Sequence, residues 1–240
     1  MEGKVLMRAL GIETSGSVCS VAYAQFAGGG RLGLREFVAG SRISEMNLDG
    51  GPQRRSEAIY GLLDRVLANA GGSIGGLDLV AVSVGPGSFT GLRVGVTIAK
   101  IFAKFGGLNL VAVPTLEAMA AQAALSSASP LGRCCYWVPF MDAKRDEVYS
   151  AFYREKGGRM TKEKGPWVGR VSELMAAIPK GSCPVSEPAR ASIVAVLGME
   201  RLLGGHKDNP DRLVPLYLKR PEAVEKLRAG LLGKGKAWKR

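Results

Sequence analysis

The sequence predicts an α/β fold of two tandem lobes with mixed central sheets, the second lobe reduced. Three observations carry this. Apolar runs of strand length alternate with amphipathic helical patterns through the first half of the chain. A strand, acidic turn, strand, glycine turn and strand then recur in the second half. Fewer elements follow that recurrence than follow the first occurrence.

Taken in order, "KVLMRALGIE" and "SVCSVAYAQF" read as buried strands, and "GRLGLREFV", after the Gly28-Gly29-Gly30 turn, as a third. Ser56 is expected to cap a helix whose buried stripe is Ile59, Leu62, Leu63, Val66, Leu67 and Ala70, ending at Gly71-Gly72. "LDLVAVSVG" is a strand, Ser88 caps a helix running to Phe105, "NLVAVP" is a strand, and Thr115 caps "LEAMAAQAAL". The first half thus reads βββαβαβα. After the turn-rich "SSASPLGR" comes "CCYWVPFMDAKRDEVYSAFYREKGGRMTKE". With Glu13 set over Asp142, Val21-Ala22-Tyr23 falls over Ser150-Ala151-Phe152, so a ribonuclease-H-like unit is duplicated. Only "VSELMAAIP", "SCPVSE", "ARASIVAVLGMERLL" and "RLVPLYLKR" follow. The expected division is a first lobe over 1–125, a linker over 126–133, a shortened second lobe over 134–228 and a basic tail over 229–240.

Composition narrows the chemistry. The chain carries 33 Lys and Arg against 21 Asp and Glu, a net charge of +12. From Arg201 to Arg240 eleven basic residues stand against Asp208, Asp211, Glu222 and Glu225, so the excess is concentrated at the end; a solvated tail or an RNA contact would both explain it. The single histidine, His206, excludes the paired-histidine zinc motifs and reads as an exposed loop residue. Cys19, Cys134, Cys135 and Cys183 form no C-x-x-C pair and read as reduced, buried thiols. No apolar run approaches a membrane span, and "MEGKVLMRALGIETS" has no long apolar segment with a cleavage site, so a cytoplasmic location is expected.

The segment "GPGSFTGLRVGVTIAKIFAKFGG" suggests a phosphate loop, yet Thr90-Gly91-Leu92-Arg93 stands where a Walker loop needs Gly-Lys-Ser/Thr. Its helix has one narrow polar stripe, Arg93, Thr97, Lys100 and Lys104, beside a ridge of small residues, Gly91, Gly95, Ala99 and Ala103. The remaining arc, Val94, Ile98, Ile101, Phe102 and Phe105, is wider than one sheet needs; a neighbouring helix of the same chain or a partner would cover it. Tandem ribonuclease-H-like lobes are the architecture of actin, sugar kinases and Hsp70, which hold ATP between the lobes. Glu13 and Asp142 stand at matching strand ends, either as a metal-holding pair facing a cleft or each closing its own turn.

"LGIETSGSVCSVA", "GPGSFTGLRVGVTIAKIFAKFGGLNLVAVPTLEAMA", "MDAKRDEVYSAFY" and "VPLYLKRPEA" together resemble the TsaB (formerly YeaZ) family, across nearly the whole chain. That family works with TsaD and TsaE in making threonylcarbamoyladenosine in tRNA. The resemblance implies an actin-like ATPase fold with no catalytic residues, no metal and no cofactor of its own, ATP belonging to the complex with its partners. It implies docking on TsaD through the first-lobe helices, with Ile59, Tyr60, Leu63, Leu67, Gly91, Gly95, Ile98, Ala99 and Phe102 as the interface. The same surface would pair the chain with itself as a homodimer, and Glu13 and Asp142 would be a vestigial cleft. TsaE and tRNA would be met through the complex. The competing readings are a stand-alone actin-like ATPase, a glycoprotease-like enzyme, and an RNA-binding subunit using its tail.

Overall fold

The computed structural model describes residues 5–28, 33–49, 52–69, 71, 74–127 and 136–219. The tail over 229–240, most of the linker, Cys134, Cys135 and Gly72 lie outside them.

The first sheet begins with β1 (Val5–Glu13) and β2 (Val18–Gly28), antiparallel and in register from Val5↔Gly28 to Glu13↔Ser20. Where a third strand is expected, the chain instead forms a short helix, α1 (Leu34–Ala39), and the strand follows as β3 (Ser41–Asp49). Leu34 and Phe37, three apart, are both buried, and the Phe37 ring stacks on Phe26 at 4.0 Å. A helical turn places those two side chains on one face, whereas a strand would split them. Helix α2 (Pro52–Asn69) starts four residues before Ser56, so Ser56 lies inside it, with Pro52 in the first turn where its missing N–H costs nothing.

Strand β4 (Leu79–Ser83), helix α3 (Phe89–Gly106), strand β5 (Asn109–Val113) and helix α4 (Thr115–Ser126) follow as expected, with one difference at a cap. Pro114, not Thr115, stands at the α4 N-cap, and Thr115 is its first helical residue. Strands β4 and β5 pair parallel to β1, giving the mixed order β3-β2-β1-β4-β5.

The second sheet repeats this scheme with one strand fewer. β6 (Trp137–Lys144), β7 (Glu147–Lys156) and β8 (Arg159–Arg170) form the antiparallel meander, and after α5 (Val171–Ala177) the short β9 (Cys183–Val185) pairs parallel to β6. The order β8-β7-β6-β9 matches β3-β2-β1-β4, so the duplication read from the sequence is a duplication of topology.

Helix α6 (Ala191–Leu203) crosses back and packs on β1, β2 and β4 of the first sheet. The approach is close enough to require glycine: a Cβ on Gly11 would lie 2.1 Å from the Ala191 carbonyl oxygen, and one on Gly198 2.4 Å from Ala81 Cβ. One core therefore lies between the two sheets, where α4 and α6 meet Ala9, Ala81, Val111, Ala151 and Tyr153. A second lies between the first sheet and α2 and α3, and a third, smaller, is on the outward face of the second sheet beneath α5.

The segment after α6 belongs by contact to the first lobe, although the sequence places it in the second. Asp208 N–H donates to the Leu110 carbonyl, its carboxylate accepts from Ala112 N–H at 2.8 Å, and Leu216 N–H donates to Val84. Residues 212–219 thus form a strap along the first lobe. Cys19 is free and buried, but Cys183 is disulfide-bonded, which corrects the reduced-thiol expectation for that residue. Among the described residues no helix is long and apolar enough to cross a membrane.

Candidate docking face and interlobe cleft

Helix α3 is fixed at its start by the first strand pair. Ser88 N–H donates to the Ser15 carbonyl at 2.7 Å, and the Ser88 hydroxyl accepts from Gly91 N–H at 3.3 Å, so Ser88 is the expected N-cap. The Thr14 hydroxyl donates to the Gly91 carbonyl at 2.7 Å. A Cβ on Gly91 would sit 1.9 Å from the Thr14 carbonyl oxygen, and one on Gly95 2.3 Å from Thr14 Oγ1. The small-residue ridge therefore lets α3 close on the end of β1; at Gly91 and Gly95 it is filled by the chain itself, not by a second helix.

The other expected interface residues divide by burial. Ile59, Leu63, Leu67, Ile98 and Ala99 are buried in the core between α2, α3 and the first sheet. Phe102 is half-buried against that core, and Tyr60 is 60% exposed. Ile101 at 45% and Phe105 at 86% are the exposed apolar groups of α3, and neither belongs to the expected interface set. Their signal was present in the sequence as the far side of the oversized arc. A shallow depression beside them is lined by Thr97, Lys100, Lys104 and Asp211 as well. The strap forms its rim: Lys104 pairs with Asp211, and Lys100 Nζ donates to the Leu213 carbonyl.

Between the lobes lies a cleft of about 400 Å³, lined by Pro86 to Phe89, Asp142 to Arg145, Tyr149 and Leu216 to Lys219. Asp142 faces it; Glu13 is not among its walls. Glu13 is 1% exposed, and its Oε1 accepts from both the N–H and the hydroxyl of Ser15, each at 2.5 Å. Burial pushes the Glu13 carboxyl above its ordinary value of 4.5, against the opposing effect of the Ser15 donors and weaker ones from Ser83 and the Gly16 amide. Asp142 goes the other way. Its carboxylate accepts from Lys144 Nζ at 2.8 Å and Lys144 N–H at 2.7 Å, and these bonds hold it below the ordinary range. Each carboxylate closes its own turn, so the two are not assembled into a metal-holding pair.

Two of the amides at the start of α3, beside the cleft, are already engaged. The Ser88 amide is engaged by Ser15 and the Gly91 amide by the Ser88 hydroxyl, while the Tyr217 ring packs on Phe89 at 4.8 Å across the helix start. A nucleotide phosphate would find both of those amides already bonded. Lys219 crosses from the strap to the second lobe, donating to the Ala143 carbonyl and to Glu147, whose carboxyl it holds low. His206, 58% exposed in its side chain, lies 3.3 Å from Asp208 in the strap and touches neither face. Among the described residues no three His, Cys, Asp or Glu side chains are grouped to hold a metal.

The chain matches, over residues 52–214, the family model described as TsaD: tRNA N6-adenosine threonylcarbamoyltransferase. It is 32% identical over 168 residues to an uncharacterized protein of Mycobacterium tuberculosis, covering 65% of this chain and 71% of that one. To the tRNA threonylcarbamoyladenosine biosynthesis protein TsaB of Haemophilus influenzae it is 33% identical over 148 residues, covering 61% of this chain and 54% of the relative. YeaZ from Pseudomonas aeruginosa superposes with a TM-score of 0.69 at 21% identity, over 88% of this chain and all of that one. With two thirds of the chain under one family model, and the TsaB and YeaZ proteins among its relatives, the chain belongs to the TsaD family, to its TsaB/YeaZ members.

Proposed function

We propose that this chain is a non-catalytic subunit of tRNA threonylcarbamoyladenosine biosynthesis that docks on the threonylcarbamoyltransferase TsaD through the α2–α3 face. Its two lobes, over 1–125 and 134–228, act as one rigid scaffold, and TsaE and tRNA are met through TsaD. The same face pairs two copies of the chain when TsaD is absent. The observation that carries the reading is Phe105, a phenylalanine 86% exposed at the end of a helix whose other apolar residues are mostly covered, with Ile101 and Tyr60 also exposed on these helices. Aromatic groups so placed are the usual anchors of interfaces, and each is worth about 2 kcal/mol or more when it is one. The occupied helix start and the two self-closed carboxylates support a subunit without chemistry of its own.

The test is sedimentation of the chain alone and mixed with its TsaD, for wild type and Phe105→Glu. Phe105→Glu should keep the thermal midpoint of the wild type, because the ring is exposed, while losing both the mixed complex and the self-dimer. A Phe105→Glu chain that still binds TsaD removes this face as the docking site. Nucleotide binding by the isolated chain, abolished in Glu13→Ala, would favour the stand-alone ATPase instead.

A further inference from the structure

The outward face of the second sheet carries a row of aromatic rings with cations seated on them. Alternate positions of neighbouring strands share a face, and on this one stand Tyr136 just before β6, Phe152 on β7 and Trp167 on β8. Phe152 and Trp167 stack at 5.2 Å, and Tyr136 meets Phe152 edge-on at 5.7 Å. Phe152 is buried, whereas Trp167 and Tyr136 are half-buried. The Lys164 amine lies 5.9 Å from the centroids of both Phe152 and Trp167, and the Arg154 guanidinium 4.6 Å from that of Tyr136.

Packing accounts for part of this face. Leu174 and Ile178 cover it beside Val138 and Val148. Packing does not account for the charge. From Arg154 to Arg170 six Lys or Arg stand against Glu155 and Glu163; Lys156 is engaged by Glu163 at 2.6 Å and Arg159 by Glu200 at 2.7 Å, and the four other cations still outnumber the one remaining carboxylate of the segment, Glu155. Lys164 is exposed on the edge strand β8, opposite Phe152, and Arg154 Nε is buried without an acceptor. Uncompensated cations gathered over half-exposed rings want a ligand that supplies anionic oxygens and flat π-faces at once.

Single-stranded nucleic acid supplies both, its bases stacking on aromatic side chains while a basic track follows the phosphates. An acidic peptide would answer the cations and leave the rings unused. A duplex would keep its bases stacked on each other. We infer that the outward face of the second sheet binds a single-stranded stretch of RNA, with a base stacked on Trp167 and phosphates on Arg154 and Lys164. The source of that RNA, an unpaired loop of tRNA, rests on the reading of the chain as a tRNA-modification subunit; the face itself does not.

The experiment is fluorescence anisotropy of a short, labelled, mixed-sequence single-stranded RNA oligonucleotide with the full chain across a salt series. Binding should weaken with salt. Trp167→Ala should weaken it about tenfold or more, the usual cost of losing a stacked base, and Trp167→Phe should restore most of it. Lys164→Gln is an exposed change that leaves the fold intact, and it should reduce the slope of log affinity against log salt by about 0.7. Phe105→Glu should bind the oligonucleotide as the wild type does, so failure of the docking face and failure of this face are separately visible. No binding at low salt overturns the inference. So does wild-type affinity in both Trp167→Ala and Lys164→Gln, or a loss that follows only removal of residues 229–240, which would move the RNA to the tail. Equal affinity for polyglutamate would make the face a generic polyanion surface and overturn it too.

Discussion

Glu13 ends β1 inside the protein, where its Oε2 and the hydroxyl of Ser83 are both buried and at most weakly bonded to each other. A carboxyl whose folded value is raised is protonated in the folded state when the unfolded chain has already released that proton. Its contribution to stability is therefore fully present below the ordinary value of 4.5 and is lost as pH rises through the raised one. Glu13→Gln keeps an oxygen for the two Ser15 donors, offers an N–H toward Ser83 and cannot ionise. It should match the wild type near pH 4.5 and become progressively more stable than it toward pH 8, read as thermal midpoints against pH. Parallel curves for the two proteins would show that the buried carboxyl does not titrate against stability. The repeat alignment was enough to pair Glu13 with Asp142 by position. Their opposite environments were not legible, because they are set by groups distant in sequence: Ser83 beside one carboxyl, and Lys144 on an open turn beside the other.

Helix α3 shows the same division at the scale of an element. Its limits, its N-cap and its excess of apolar surface were legible because they follow from local chemistry: a serine, a glycine at each end and the 3.6-residue period. Which neighbour fills which side was not, since a ridge of small residues looks the same whether a strand end or another helix lies on it. At Gly95 the neighbour is Thr14, so Gly95→Leu should act on folding and not on docking alone. The side chain would have to displace Thr14 and the bond it gives to Gly91, at a cost of about 1 to 3 kcal/mol, visible as a lower urea midpoint of the isolated chain. A Gly95→Leu chain of wild-type stability that fails only to bind TsaD would return this ridge to the interface. The misplaced third strand has a related cause. Strand β3 is the edge of its sheet, and much of it is polar or exposed, with Arg42, Ser44, Glu45 and Asn47 among nine residues. The preceding helix is a single short turn of chain whose two buried residues resemble a strand's in composition.

At the scale of the molecule, sequence order and packing order differ, and the difference decides what can fold alone. The duplication invites a cut near residue 125 into two independent lobes. Yet α6, from the second half of the chain, covers the face of the first sheet formed by Ala9, Gly11 and Ala81, and it buries Ile193, Val194, Val196, Leu197 and Met199 there and against α4. At about 1.5 to 3 kcal/mol for each large apolar side chain removed from water, these five bring roughly 8 to 15 kcal/mol, as much as the whole net stability of a typical domain. Polar ties add to them: Arg201 grips both oxygens of Glu117 at 2.7 Å and donates to the Ala112 carbonyl, and the strap continues along β5 through Asp208. A chain ending at residue 125 should therefore lack a cooperative thermal transition, because one face of its sheet would have nothing to bury it. Adding a peptide spanning residues 186–219 in trans should restore helical circular dichroism and a sharp transition, since the missing face is supplied by that segment alone. The full chain, for the same reason, should unfold in one step with fluorescence and circular dichroism superimposed. A soluble 1–125 fragment with its own sharp transition would mean that α6 decorates the first lobe without completing it, and the two lobes would then be free to move against each other in the assembled complex.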